Sequence, residues 1–372
     1  MNFAIKYLIE IERFGSITKN LNSQECFFNQ LVISHGEHYQ KKTYFEVFSS
    51  YFRELELIKD DDEYWFLWDK SLLNLINNIV YCISVNDFEK SQQIYAKYYE
   101  MYLLENAIKN NSKLTKGIFI SHLRRCGTGF AKKNVQTIND TNFYGKIASQ
   151  IEYFSFFHEL SHFIIQVDDL EKNLQKINVD NVFDVIANLS GQFHPLDDDI
   201  SKDDYIKLIQ NFLSNDKSLE EIECDISAIN LSLETITHDI PTLSLLYLSS
   251  ILQYKIMASL SNARRLLDLL QENRNSNLNY IENRIRVDFR CYSLMLSIAN
   301  RFNQDLTIVE KLDKFYKQHY KLIVEKFDTL RIPVEKYFMS SEYWDAVNHL
   351  NLSQNVRIPK DKHDRLNILG WL

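Results

Sequence analysis

Apolar residues recur along this chain at helical spacing over long stretches. Four such stretches fill residues 1–110: AIKYLIEIERF, YFEVFSSYFRELELI, EYWFLWDKSLLNLINNIVYCI and FEKSQQIYAKYYEMYLLENAI. Each is read as a helix, because apolar positions three and four apart build one buried face. The texture changes at residues 112–146, where four of the eight glycines fall among alternating apolar and polar positions. That alternation predicts a β-hairpin or small sheet, with Gly117 and Gly127-Thr128-Gly129 at turns or bulges. The next stretch, KIASQIEYFSFFHELSHFIIQV (146–167), is apolar around most of its circumference and predicts one buried helix. Residues 218–236, 241–270, 277–301 and 307–330 carry further long helical patterns, and the tail from Ser341 reads as less regular.

Composition supports this reading. With Gly 8 and Pro 4 in 372 residues, both fall far below the usual roughly 7% and 5%. Few turn-formers in so long a chain favour long helices over many short strands. The expected class is mainly α with a small β-sheet (α+β). A helical N-terminal region, 1–110, is expected to precede a region, 111–372, that holds the chemistry and a helical C-terminal part. A net charge of −8 and a pI near 5.7 argue against a nucleic-acid backbone as partner. The five cysteines are scattered, forming neither a CxxC pair nor a disulfide framework. The N-terminus lacks the basic and then apolar regions of a secretory signal. The most apolar window, 241–260, contains Gln253 and Lys255 and reads as a buried helix rather than a membrane span. A cytoplasmic protein without membrane association is expected.

The candidate chemistry sits inside the buried helix. His158 and His162 are four apart, so both imidazoles leave one face. That spacing brings two nitrogens to one tetrahedral Zn²⁺ at about 2.0–2.1 Å. Glu159, one step round the helix, is placed to act as a general base on a water at the metal. HExxH also arises by chance, so a third ligand is required. Residues 220–229, EEIECDISAI, offer Glu221, with Asp225 four residues on. Glu221 would complete a His₂Glu set, and Asp225 would accept the free ring N–H of a ligating histidine. Taken alone, that pair reads more plainly as two solvated carboxylates; beside HELSH the ligand reading is favoured.

HELSH followed by E-x-x-x-D resembles the gluzincin metallopeptidases. The resemblance implies that His158, His162 and Glu221 bind Zn²⁺ in a zincin-like core, with Glu159 as catalytic base. It covers two short motifs and the helices around them, 59 residues apart from His162 to Glu221. The helical, glycine-poor character is similar to the phage-exclusion peptidases of the Lit type, which cleave a host translation factor. That likeness implies a phage-defence or toxin-like role. The residues after His162, FIIQVDDLEKN, lack the second signature of the metzincins.

Other residues stay open between roles. His238, 17 residues beyond Glu221, would hydrogen-bond a developing oxyanion or serve as an ordinary surface histidine. His194 and His238, each near a proline in an expected loop, are alternative third ligands, with an ordinary surface or structurally bonded histidine as the plainer reading of both. Arg286 and Arg290, with Glu282 one turn earlier, would hold a substrate carboxylate, neutralise Glu221 and Asp225, or form a salt-bridge ladder. His35 and His38 are expected in a turn, because Gly36 would break a helix. Cys224 is expected as a small core residue. The run Asp60-Asp61-Asp62-Glu63 is expected to cap a helix start.

The expected function is a zinc endopeptidase acting on a specific protein or peptide, controlled by an activator or inhibitor protein, with the N-terminal region 1–110 serving substrate recognition or regulation. Segment 116–140 is the expected edge for an extended substrate. The alternative is a helical interaction protein, or one that holds zinc without catalysis.

Overall fold

A computed structural model of the chain describes residues 15–18, 20–50, 53, 55–128, 143–168, 207, 210–212, 214–235, 240–272, 290, 314, 318–319, 321–353 and 358–369. The fold is mainly α with one small sheet, as expected. It divides into two compact units. The first holds Met1–Ala148, Ser259–Arg274 and Ile323–Leu372, and the second Ser149–Ala258 and Asn275–Leu322.

The sheet lies in the first unit and replaces helices expected there. Strands β1 (Gly15–Ile17), β2 (Lys42–Ser50), β3 (Glu56–Asp60) and β4 (Glu63–Asp69) are ordered β1-β2-β4-β3. β4 returns between β2 and β3, parallel to β2 and antiparallel to β3. Tyr44 stacks on Trp65 across that parallel pair, with ring centroids 4.1 Å apart. Tyr64 through Trp68 are all at most 6% exposed, so the apolar run in EYWFLWD is a strand covered on both faces. Aromatic and β-branched residues suit such a surface better than a helix. The acidic run caps no helix. Asp60 ends β3, Glu63 begins β4, and Asp61 between them has φ 52°, a left-handed conformation that a short polar side chain tolerates.

Helix α1 (Ser23–His38) opens with a reciprocal cap, Asn22 accepting from Glu25 N and Glu25 from Asn22 N, both at 2.8 Å. It runs through Gly36 rather than stopping there. A Cβ on Gly36 would stand 2.3 Å from Thr43 Oγ1, so this glycine admits β2 instead of making a turn. α2 (Lys70–Ser84) begins where β4 ends, on the Asp69 cap. α3 (Phe88–Lys109) forms as expected.

The segment expected to be a hairpin is instead α4 (Thr115–Cys126); residues 129–142 lie outside the described set. Gly117 is inside α4, where a Cβ would meet Val347 O at 2.2 Å. The glycine permits the backbone of α9 (Ser341–Leu352) to approach, and makes no bulge. The proposed substrate edge at 116–140 is therefore helical as far as Cys126. α3 and α4 pack together: the fully buried Glu100 accepts from Ser121 Oγ at 2.7 Å and lies 2.9 Å from Arg125 Nε. A division after residue 110 would cut that contact, and the two units divide elsewhere.

Among the described residues the remaining helices are α5 (Phe143–Val167), α6 (Asp216–Thr235), α7 (Ile240–Glu272), α8 (Lys326–Met339), α9 and α10 (Lys362–Leu369). The last two lie in the tail that was expected to be irregular. The pattern at 277–301 lies outside the described residues except for Arg290. That at 307–330 is described at positions 314 and 318–319, in a π-turn (Lys321–Glu325) and in the start of α8. Among the described residues, one helical stretch, Pro241–Leu267, is long and apolar enough to cross a membrane, and 78% of its most apolar window is buried inside the protein.

Gly117→Ala should destabilise the protein by about 1–3 kcal/mol, the usual cost of overpacking. Denaturant unfolding should show this loss; an unchanged midpoint would contradict the close approach of α4 and α9.

Candidate metal centre

α5 places the site because most of its surface is core. Phe154, Phe156, Phe157, Leu160 and Phe163 are at most 2% exposed. The hydroxyls of Ser155 and Ser161 are returned to the helix, donating to Ile151 O at 2.8 Å and Phe157 O at 2.7 Å. Gln253 of α7 donates to Ser155 Oγ at 2.8 Å, and Tyr254 meets Phe154 edge-on at 5.7 Å. A helix fixed on these sides presents His158 and His162 on its remaining face, their side chains 12% and 16% exposed. The two rings are 4.9 Å apart and nearly perpendicular, at 87°.

α6 supplies the opposing groups. Ile222, Cys224, Ala228, Ile229 and Leu233 are fully buried, and this apolar stripe turns Glu220, Glu221 and Asp225 toward α5. Glu221 Oε2 lies 3.4 Å from His158 Nε2, and Glu221 Oε1 lies 3.7 Å from His162 Nε2. Ligand atoms of His158, His162 and Glu221 all fall within 4.8 Å of one another. Zinc bonds of about 2.0–2.1 Å in a tetrahedron put ligand atoms roughly 3.3–3.4 Å apart. The cluster fits zinc with small adjustments of side chains, and both histidines offer Nε2.

The opposite ring nitrogens meet a second layer. His158 Nδ1 is 2.9 Å from Asp225 Oδ1, as expected for Asp225. His162 Nδ1 is 3.2 Å from Glu220 Oε1 and 3.2 Å from Cys224 Sγ. Glu220 was missed in the sequence, and Cys224 proves to be a core residue that also touches a histidine. The signal was available: EEIECD contains two pairs four apart, Glu220/Cys224 and Glu221/Asp225, one pair for each histidine.

Arg290 resolves one of the open alternatives. Its Nε and Nη2 donate to Asp225 Oδ2 and Oδ1 at 2.6 and 2.7 Å. Its Nη2 lies 3.6 Å from Glu221 Oε2, and its guanidinium lies 4.6 Å from the centre of the Tyr254 ring. It neutralises the acidic pair, and a substrate carboxylate would have to compete with Asp225 for it. Arg286, His238 and His194 lie outside the described residues. Glu159 is half-buried beside this cluster, near enough to Cys224 for its charge to help raise the thiol pKa.

Charge balance decides the protonation states. Burial alone would lower the His158 pKa, but its contacts with Asp225 and Glu221 outweigh burial and lift it to about 10. Burial would raise Glu221, yet His158 and Arg290 bring it down to about 2. Asp225 is likewise held below its ordinary value against burial, chiefly by Arg290 and His158. Burial, with the neighbouring carboxylates adding, pushes the Cys224 thiol far up, so it stays protonated. Without metal the site is thus an imidazolium among carboxylates, and metal uptake must release a proton.

No protein-family model, curated protein or solved structure matches the chain.

The metal-free protein should show a defined pH dependence. His158 has a pKa raised from 6.5 to about 10, so its stabilising contribution is complete below pH 6.5 and is lost as pH rises through 10. Glu221, lowered from 4.5 to about 2, contributes fully above pH 4.5 and loses this as pH falls through 2. The stability gap between wild type and His158→Gln, read by denaturant unfolding after chelation, should shrink steadily from pH 6.5 to 10. A constant gap would contradict the charged pair.

Proposed function

We propose that the protein is a zinc-dependent endopeptidase that cleaves a specific protein, with His158, His162 and Glu221 as ligands. The observation that carries this reading is the convergence of three ligand side chains from two helices, spaced for zinc and each contacted by a further polar group. The resemblance of HELSH and E-x-x-x-D to the gluzincins points the same way. Zinc supplies a Lewis acid that polarises a peptide carbonyl and lowers the pKa of water.

The chain's own residues do the remainder. Glu159 takes the proton of the attacking water and returns it to the leaving amine. Asp225 and Glu220 hold the two imidazoles with Nε2 toward the metal, fixing ring orientation and raising ligand basicity. Arg290 keeps Asp225 and Glu221 ionised, so neither carboxylate is lost to protonation in a site that is partly dry. A cytoplasmic setting is part of the proposal, and an enzyme of this kind there requires a narrow substrate or a restraining partner.

Purified protein should hold zinc, and Glu221→Ala should lose it by elemental analysis. Glu159→Gln should keep the metal while cleavage falls by about 10²–10⁴-fold, the usual contribution of a general base. Comparing cleaved protein termini in cells that express wild type or Glu159→Gln identifies the substrate. Metal retained in both, with identical termini, would leave a zinc-holding protein and remove the peptidase.

A further inference from the structure

A second group of metal-ligating side chains lies in the first unit. α4 carries His122 and Cys126 four apart, and α3 sets Glu100 opposite them. One ligand atom from each falls within 4.8 Å of the others. Glu100 and His122 are fully buried, and Cys126 is half-buried. His122 Nδ1 stands 3.8 Å from Glu100 Oε2. We propose that Glu100, His122 and Cys126 form a further metal site, for a thiophilic divalent ion such as zinc or cadmium, gated by Arg125.

The chemistry of the donors selects the ion. Imidazole with thiolate suits zinc and softer ions, whereas magnesium and calcium prefer sets made only of oxygen. The carboxylate is already oriented. Glu100 Oε1 accepts from Ser121 Oγ at 2.7 Å and from Tyr343 OH at 3.2 Å, which leaves Oε2 facing His122. Glu100 and His122 stand 3.8 Å apart, against 3.4 Å for His158 and Glu221, so closing on an ion requires a small mutual approach of these side chains.

Arg125 engages the carboxylate oxygen that an ion would use. Its Nε lies 2.9 Å from Glu100 Oε2, where it supplies the countercharge that a buried carboxylate needs. Its side chain is nevertheless 31% exposed. Its guanidinium lies 5.7 Å from the centres of the Tyr337 and Phe338 rings. It also lines a cavity of about 410 Å³ shared with Lys97, Pro333 and Tyr337. The side chain therefore has room to withdraw from Glu100 while keeping an aromatic surface to rest on. An arriving divalent ion takes over the countercharge, the Cys126 thiol gives its proton to solvent, and sulfur bonds the ion. Burial, with Glu100 adding, holds the thiol protonated until then, its pKa pushed up to about 12.

Cadmium is the probe, because a thiolate–cadmium bond gives an ultraviolet charge-transfer band that nitrogen and oxygen ligands do not. The titration uses a full-length Cys26→Ser background, since Cys26 is exposed. The band is expected with one thiolate per protein. Cys126→Ser and Cys126→Ala should both abolish it and remove one equivalent of bound cadmium in equilibrium dialysis. Arg125→Met should lower the cadmium concentration at half-saturation of the band by about tenfold or more. The absence of the band, or a band that survives both Cys126 variants, overturns the site. An unchanged half-saturation in Arg125→Met overturns the gate. Because the readout depends on Cys126, it is independent of whether His158, His162 and Glu221 hold zinc.

Discussion

The Asp225 carboxylate is the constraint on which the candidate centre rests. It is fully buried, and an ionised carboxylate in that position is tolerable only with close partners. Arg290 grips both of its oxygens, and His158 approaches one of them at 2.9 Å. Removing either partner would leave charge stranded in a dry place, at a cost of about 3–5 kcal/mol. The ion pair therefore sets three things together: the ionisation of Asp225, the orientation of the His158 ring and the charge beside Glu221. Hydrophobic packing alone would have fixed the helices without fixing where Nε2 points.

The same arrangement concentrates negative charge around the two imidazoles. His158 is held charged by carboxylates at both ring nitrogens. A proton there serves, in the metal-free protein, where a divalent ion would serve later. The apolar stripe of α6 and the phenylalanines of α5 restrict the movement of both helices, so ligand spacing close to that of zinc is inherited from the packing. His162 receives a looser second layer, a half-exposed glutamate and a thiol, than the buried carboxylate given to His158.

The site was legible in the sequence to the extent that it is written in helical spacing. HELSH and EIECD each place two groups on one helix face, and both segments fold as helices. What one motif cannot say is how a residue reads across to another helix, so the pairing of Glu220 with His162 was missed. The sequence leaves three roles open for Arg290 for the same reason: its partner Asp225 lies 65 residues away. The N-terminal sheet was less legible because its turns use unusual residues. Gln40, Arg53 and Asp61 adopt positive φ, as does Asn111 after α3, where glycine would have announced a turn. A low glycine count therefore suggested helices that the chain does not form. The glycines that are present misled in the opposite sense. Gly36 and Gly117 lie within helices, where they admit close backbone neighbours.

X-ray absorption at the zinc edge, on full-length Cys126→Ser protein loaded with one equivalent of zinc, reads the ligands of the His158–His162–Glu221 centre. The expected spectrum shows nearest neighbours of nitrogen and oxygen only, with outer scattering from two imidazoles, reduced to one in His162→Gln. A shell containing sulfur, or a hydrated zinc without imidazole scattering, would contradict it.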